Sequence, residues 1–147
     1  MTLYAESSAV LAWLLDEDAG SKVRGLLTAA EVIVSSDLTL IECDRVLIRA
    51  AALGDLLEGD AADRRAHLTT AAAHWHVLRI SGEVVDRARQ PFPGDPVRTL
   101  DAIHLASALV ARAAVPGLQV LSLDDRVRSA AQRLGLPLQP EVSLLSA

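Results

Sequence analysis

Short runs of apolar residues alternate along the chain with longer segments in which apolar positions recur every three to four residues. Short runs rich in β-branched residues are typical of buried strands, and the longer periodic segments are typical of amphipathic helices. The predicted strands cover Thr2–Ala5 and residues 31–35, 76–80 and 118–123, with 137–139 as a fifth candidate at the sheet edge. The predicted helices cover residues 8–15, 21–30, 38–53, 61–74, 82–89, 100–114 and 125–134.

The order of these elements predicts an α/β fold. Strands that alternate with helices are joined by right-handed crossovers, which produce a parallel sheet covered by helices on both faces. Gly54 and Gly135 follow two predicted helices, as helix-terminating glycines do. The prolines within residues 90–96 prevent a helix there, so this segment is predicted to be a loop. The sequence shows no internal repeat, and we expect one domain over residues 1–147.

Composition and charge narrow the classes of function. Of the 147 residues, 51% are apolar, which is enough for one well-packed core. The formal net charge is −5 and only 3% of the residues are aromatic. These values disfavour a protein that binds nucleic acid through bulk positive charge or through a base-stacking surface. They are compatible with a nuclease, because bound divalent cations reverse the local charge of an acidic site.

The cysteine content and the length of the apolar runs bear on the cellular compartment. Cys43 is the only cysteine, which excludes an internal disulfide and a cysteine-based metal site. We expect it to be a buried, reduced thiol. No apolar run reaches the length needed to span a membrane. These features predict a soluble protein of the cytoplasm that has no membrane partner.

Four acidic residues are expected at one edge of the predicted sheet, where ligands bind in open α/β folds. Glu6 follows the first strand and Asp124 follows the fourth. Glu42 lies two turns into the helix after the second strand, and Asp101 lies in the first turn of the helix that leads to the fourth. Carboxylate oxygens are preferred ligands of Mg²⁺ and Mn²⁺. Such an ion activates water for phosphodiester hydrolysis, so no serine or cysteine nucleophile is needed.

Each acid also has an ordinary structural interpretation, and the residues alone leave both interpretations open. Asp124 is a candidate N-cap for the helix that follows it. Asp101 follows Thr99, another candidate N-cap, and a first-turn aspartate interacts favourably with the helix dipole. Glu6 can be a solvated residue at a strand end, and the helix pattern around Glu42 leaves its face ambiguous.

Four segments resemble the successive motifs of PIN-domain proteins. They are Tyr-Ala-Glu-Ser-Ser-Ala at 4–9, Ser-Asp-Leu-Thr-Leu-Ile-Glu at 36–42, Leu-Asp-Ala-Ile-His-Leu-Ala-Ser-Ala at 100–108 and Leu-Ser-Leu-Asp-Asp-Arg at 121–126. The resemblance extends from about residue 3 to residue 138, and the third segment is the most specific. Within the family, the sequence is most similar to the VapC toxins of bacterial type II toxin–antitoxin pairs.

The resemblance carries expectations about fold, activity and partners. It implies a three-layer α/β/α sandwich with a parallel sheet of four to five strands. It implies an endoribonuclease that depends on Mg²⁺ or Mn²⁺ and cleaves RNA phosphodiesters with a metal-activated water, leaving a 5′-phosphate. It also implies a homodimer and a cognate antitoxin whose tail blocks the site.

Position by position, the resemblance implies a set of metal-site acids that are also the catalytic residues. These are Glu6, Glu42, Asp101 and Asp124, with Asp125 as the alternative to Asp124 in a shifted register. Ser8 matches a polar position that helps to order the site in this family, although it is equally a candidate helix N-cap.

The first motif departs from the family pattern, because Glu6 stands where aspartate is usual. The side chain is one methylene longer, and a displacement of about 1 Å can reduce a rate about a hundredfold. An alternative function is therefore a catalytically impaired PIN domain that serves as a binding module for RNA or an antitoxin. A phosphoacceptor receiver domain is a weaker alternative, because Lys22, the only lysine, is far from the late strand where such a site needs one.

Several basic residues near the acids are candidates for RNA binding or for ordering the site. Arg45 shares a helix face with Glu42, whereas Arg98 and Arg126 lie close in sequence to Asp101 and Asp124. His104 lies one turn after Asp101, so it can orient a carboxylate or act as a base. The ordinary alternatives are solvated arginines and a partly buried helix histidine.

Overall fold

A computed structural model describes residues 1–141 of the chain. The strands are β1 Thr2–Ala5, β2 Val32–Ser36, β3 His76–Leu78, β4 Gln119–Leu121 and β5 Leu138–Gln139. The helices are α1 Ser7–Leu14, α2 Gly20–Ala29, α3 Asp37–Ala52, α4 Glu58–Ala72, α5 Gly82–Ala88, α6 Thr99–Ala114 and α7 Asp125–Arg133. The end of the predicted domain, residues 142–147, lies outside the described residues.

The five strands form one parallel sheet, as the alternation of elements predicts, and the structure shows their order to be β3-β2-β1-β4-β5. Strand β1 is central, with Tyr4 paired to Val34 on one side and to Val120 on the other. All carboxyl ends therefore meet at one edge of the sheet. Both neighbours of β1 are parallel to it, so the residues that follow β1 and β4 are brought together there.

The core lies on both faces of β1, whose alternating side chains divide between them. Tyr4 is buried among residues of α6, α7 and the neighbouring strands, whereas Ala5 is buried on the opposite face against α1, α3 and α4. Leu3 packs with α1 and α2. This arrangement is the predicted α/β/α sandwich. Cys43 is buried, as expected for a structural thiol.

The observed boundaries agree with the predicted elements to within a few residues, and the differences have local causes. The second strand ends at Ser36, one residue later than predicted. The hydroxyl of Ser36 accepts a 3.0 Å hydrogen bond from the Leu38 amide and caps α3, so the helix begins directly after the strand. The prediction that Thr99 is an N-cap was wrong. Thr99 is the first residue of α6, and the preceding Arg98 makes no side-chain cap.

The proline-rich segment is a loop, as predicted, and it packs against α5 through an aromatic contact. The Arg87 guanidinium lies 4.3 Å from the centroid of the Phe92 ring, and Phe92 is buried in the core. The loop then leads to the start of α6 at Thr99. Separately, no helix in residues 1–141 combines the length and hydropathy needed to cross a membrane.

Candidate active site

Glu6 connects β1 to α1 and is almost fully buried, with 4% of its surface exposed. Its Oε2 accepts a 2.6 Å hydrogen bond from the Ser8 amide, so Glu6 is the N-cap of α1. Its Oε1 accepts hydrogen bonds from the hydroxyls of Ser8 at 2.7 Å and Ser122 at 2.6 Å. Glu6 is therefore held rigidly by three donors and is not a solvated strand-end residue.

Ser8 links the β1–α1 junction to the β4–α7 junction. Its hydroxyl accepts hydrogen bonds from the amides of Leu123 at 2.9 Å and Asp124 at 3.1 Å, while donating to Glu6. The interpretation of Ser8 as a helix N-cap was wrong, because Glu6 occupies that position. Ser122 is buried and also accepts from the Asp124 amide, at 3.1 Å. Two hydroxyl groups thus join the carboxylate of Glu6 to the backbone of Asp124.

Asp124 has the capping role that the sequence suggested. Its Oδ1 accepts hydrogen bonds from the amides of Arg126 at 2.9 Å and Val127 at 3.1 Å, at the start of α7. Capping occupies one carboxylate oxygen, and within residues 1–141 the other oxygen has no hydrogen-bond partner. The neighbouring Asp125 is exposed at the first position of α7.

Glu42 is partly buried and is hydrogen-bonded to a chain of buried polar side chains. Its Oε1 accepts hydrogen bonds from the Ser7 hydroxyl at 2.7 Å and from Nε2 of His104 at 2.5 Å. On the other side of the imidazole ring, Nδ1 lies 2.9 Å from the Tyr4 hydroxyl. His104 is therefore bonded to Glu42 and not to Asp101, its neighbour along the helix.

Two opposing effects act on the pKa of Glu42. Partial burial raises the pKa, but the hydrogen bonds from His104 and Ser7, together with the charge of His104, outweigh it. The net result is a pKa below the ordinary value for glutamate. Glu42 is thus held as a carboxylate, with its second oxygen left without a protein partner among the described residues.

Asp101 responds electrostatically to two of the other acids. Its pKa is raised, first by partial burial and then by the negative charges of Asp124 and Glu6, while His104 and Arg98 act in the opposite direction. Asp101 therefore lies close enough to Glu6 and Asp124 to be affected by their charges, and the three acids form one anionic region. Glu42 is hydrogen-bonded to Ser7, the residue after Glu6, and to His104, which lies one turn after Asp101 on α6.

The arrangement suits a hard divalent cation by the chemistry of its donors. A carboxylate has about four lone-pair sites, and three of those on Glu6 are used. Glu42 and Asp124 each have one oxygen held by the protein and one that remains available within residues 1–141. In that part of the chain, no group of three or more His, Cys, Asp or Glu side chains is already arranged around an ion position. The suitability of these residues for a divalent cation therefore rests on their carboxylate oxygens and on the repulsion between the acids, which a cation would relieve.

The predicted basic residues separate into two locations. Arg98 and Arg126 line an open cleft of about 590 Å³ together with Asp101 and Asp125. Arg45 is exposed on α3 and does not line this cleft.

Sequence reasoning did not single out three residues that complete the site. They are Tyr4, Ser7 and Ser122. Ser7 and Ser122 could have been identified from the sequence, because each is a hydroxyl residue within two positions of a predicted site acid. Tyr4 carried none, because its partner lies 100 residues away in the chain.

The comparison with family models identifies the class of protein. The sequence model of the PIN domain matches residues 3–133. The chain belongs to the PIN domain family.

A curated relative is "Ribonuclease VapC46" of Mycobacterium tuberculosis. The two sequences are 34% identical over 134 residues, which cover 91% of this chain and 93% of the relative. Two further relatives come from two strains of M. tuberculosis. They are named "Ribonuclease VapC45" and "Ribonuclease VapC49", and each is 29% identical over 138 residues. VapC ribonucleases are thus similar to this chain over nearly its full length.

Solved structures share the fold. M. tuberculosis VapC20, described as a "Sarcin-Ricin loop cleaving toxin", superposes with a TM-score of 0.62 at 15% identity, covering 87% of this chain and 94% of VapC20. VapBC2 from Rickettsia felis, bound to a DNA fragment from its promoter, gives a TM-score of 0.62 at 9% identity, covering 95% of this chain and 98% of the other. At these identities the likeness shows the fold alone.

Proposed function

We propose that this protein is a metal-dependent endoribonuclease, the toxin of a toxin–antitoxin pair. The observation that carries the proposal is the junction at the carboxyl edge of the sheet, where the hydroxyls of Ser8 and Ser122 join the Glu6 carboxylate to the backbone amide of Asp124. The similarity to ribonucleases named VapC supports RNA as the substrate.

In this proposal, Glu6, Glu42, Asp101 and Asp124 hold Mg²⁺ or Mn²⁺. Such an ion, when bound, polarises a phosphoryl oxygen and activates water. Ser8 and Ser122 keep the Glu6 carboxylate pointed toward Asp124, and they compensate for its additional methylene group. His104 and Ser7 fix Glu42 as a carboxylate, so that its available oxygen is presented to the same region.

The same proposal covers assembly and location. We expect one domain, a homodimer, a cognate antitoxin that covers the acidic site, and residence in the cytoplasm. Solved relatives in toxin–antitoxin complexes support the antitoxin partner. Sedimentation of the purified chain, alone and with the product of a neighbouring antitoxin gene, tests the assembly. A monomer that forms no complex would contradict it.

The activity is tested by incubating the protein with total RNA and Mn²⁺ or Mg²⁺, with and without a chelator. We expect cleavage that the chelator abolishes and products that carry a 5′-phosphate. Asp101→Asn should abolish cleavage without weakening the fold, because it removes one charge from a repelling group. Asp63→Asn, on the exposed face of α4, is the matched control and should leave cleavage unchanged.

A second readout separates the nuclease from the inert binding module. Mn²⁺ should raise the melting temperature of the native protein, because a ligand that binds only the folded state stabilises it. The increase should be smaller in Asp101→Asn. Absence of both cleavage and stabilisation by Mn²⁺, with antitoxin binding intact, would favour the impaired PIN domain.

A further inference from the structure

A cleft beside the acidic site has a wall that the proposed chemistry does not use. One side is formed by the loop and helix start around Gly94, Arg98 and Asp101, and the other by one face of α7. On α7, Asp125, Ser129 and Arg133 follow one another at intervals of four residues, so they lie along a single stripe. Arg133, two turns beyond Asp125, is about 12 Å farther along the helix axis.

The lining of the cleft holds more positive than negative side chains, in a chain whose formal net charge is −5. Three arginines, Arg98, Arg126 and Arg133, line it together with two aspartates. None of the three arginines lies within ion-pair distance of a carboxylate in residues 1–141, where the pairs are Met1–Glu31, Arg65–Asp44 and His104–Glu42. Their charges are therefore directed to the cleft and the solvent.

Other arginines of the same region are used to hold the protein together. Arg128, on the buried side of α7, donates to the carbonyl groups of Ser122, Gln139 and Pro140. Arg112 donates to the carbonyl of Leu134 at 3.2 Å. The cleft arginines make no side-chain hydrogen bond with any residue of the described range, so these structural roles do not explain their placement.

Gly94 leaves room for the Arg133 side chain beside the loop. A Cβ at position 94 would be 2.6 Å from Cδ and 2.8 Å from Nε of Arg133, which is closer than real contacts allow. Gly94 also has a φ of +78°, a conformation that favours glycine. The absence of a side chain thus lets the Arg133 guanidinium lie against the loop backbone, where it forms part of the cleft wall.

We propose that Arg133, supported by Gly94, binds a backbone phosphate of an RNA strand whose scissile phosphate lies at the acidic site, with Arg98 and Arg126 contacting phosphates nearer to that site. This inference rests on the proposed ribonuclease function. Phosphates of a stacked strand repeat about every 3.4 Å along its axis and are farther apart in an extended strand, so a distance of about 12 Å spans at most about four nucleotides. Arg133 is therefore a substrate-binding residue that is remote from the reacting atoms.

The test measures binding to a short fluorescein-labelled single-stranded RNA of randomised sequence by fluorescence anisotropy over a range of salt concentrations. Every variant carries Asp101→Asn to prevent cleavage, and the control Arg24→Gln removes an equal charge on α2. We expect Arg133→Gln to weaken binding several-fold and to reduce the slope of log K against log salt by about 0.7, the value for one lost phosphate contact. Arg24→Gln should change neither quantity. If Arg133→Gln gives the same affinity and slope as Arg24→Gln, the proposal is wrong.

Gly94→Ala tests the support of the arginine without changing the charge. It should displace the Arg133 side chain and weaken binding, with little further effect in a Gly94→Ala/Arg133→Gln double variant. Gly54→Ala is the matched control, because Gly54 has a similar φ of +79° but nothing within 4 Å of an added Cβ. Additive effects of Gly94→Ala and Arg133→Gln would overturn the proposed contact.

Cleavage assays on protein with an intact Asp101 distinguish failure of the proposed ribonuclease function from failure of the proposed phosphate contact of Arg133. Arg133→Gln should raise KM and leave kcat unchanged, because the lost contact is uniform in the ground and transition states. A native protein that neither binds nor cleaves RNA would overturn the ribonuclease function together with the cleft. Normal RNA cleavage with an Arg133→Gln variant indistinguishable from the native protein would overturn the cleft alone.

Discussion

At the scale of single residues, the site depends on hydroxyl groups that fix the acids. Glu6 is surrounded by Ser8 and Ser122, which together with the Ser8 amide donate three hydrogen bonds to it. Three donors hold the Glu6 carboxylate at its existing length, so we expect the site to be adapted to glutamate at this position.

Glu6→Asp tests this adaptation. The shorter side chain cannot reach Ser122 while it still caps α1, so we expect cleavage to fall about tenfold to a hundredfold at saturating Mn²⁺. Glu6→Ala should abolish cleavage. Glu17→Asp, an exposed substitution of the same kind, is the control in the same rate assay. Unchanged cleavage by Glu6→Ala would remove Glu6 from the metal site.

His104 has a second measurable role at this scale, in stability. It is 3% exposed and hydrogen-bonded on both ring nitrogens, so His104→Ala leaves Tyr4 and Glu42 without their partner and creates a cavity. We expect the free energy of unfolding to fall by about 3 kcal/mol. His67→Ala, on the exposed face of α4, should cost less than about 0.5 kcal/mol in the same urea titration. Equal losses would show that the buried hydrogen bonds contribute little.

At the scale of elements, two of the four acids lie where a strand gives way to a helix. Glu6 caps α1 between β1 and that helix, and Asp124 caps α7 after β4. The same junctions that satisfy the first amides of a helix thus place negative charge at the carboxyl edge of the sheet. The position of α1 therefore affects both the core and the site.

The packing of α2 on α1 provides a prediction about these elements. A Cβ at Gly20 would overlap the carbonyl oxygen of Ala12, a backbone atom that cannot move independently of α1. We expect Gly20→Ala to lower the free energy of unfolding by about 2 kcal/mol. Gly25→Ala, in the same helix but with nothing within 4 Å, should raise it by about 0.5 to 1 kcal/mol. Thermal or urea unfolding measures both, and a stabilising Gly20→Ala would contradict the close approach.

At the scale of the whole molecule, a buried arginine joins the last two strands of the sheet to the site. Arg128 donates to the carbonyl of Ser122 at 2.8 Å, to that of Gln139 at 3.2 Å and to that of Pro140 at 2.7 Å. Ser122 in turn donates to Glu6. The edge formed by β4 and β5 and the geometry of the site are therefore linked.

Arg128→Met tests this link, because it keeps an unbranched apolar stem and removes the donors. We expect the free energy of unfolding to fall by about 2 to 3 kcal/mol, since three carbonyl groups lose their donor. The amides of Val120 and Ser122, which donate to Pro137 and Gln139, should exchange hydrogen faster. Arg24→Met is the control on the opposite layer. Unchanged hydrogen exchange at these amides would show that Arg128 does not stabilise the pairing of β4 with β5.

The sequence by itself determined the elements and the chemistry at their junctions. Periodicity depends on neighbours a few residues away, so strands, helices and the proline-rich loop were predictable from local pattern. The order of strands and helices then predicted that four acids lie near the carboxyl edge of a parallel sheet, namely Glu6, Glu42, Asp101 and Asp124.

Only the tertiary structure decided which side chains meet. His104 bonds to Glu42, which is 62 residues away, although Asp101 is the nearer acid along the chain. Ser8 accepts from amides more than 100 residues away, although its sequence context is that of an N-cap. The contact of Gly94 with Arg133 likewise joins a loop to the end of α7. Such contacts depend on helix rotation and strand order, which are set by packing of the whole core and leave no periodic trace in the local sequence.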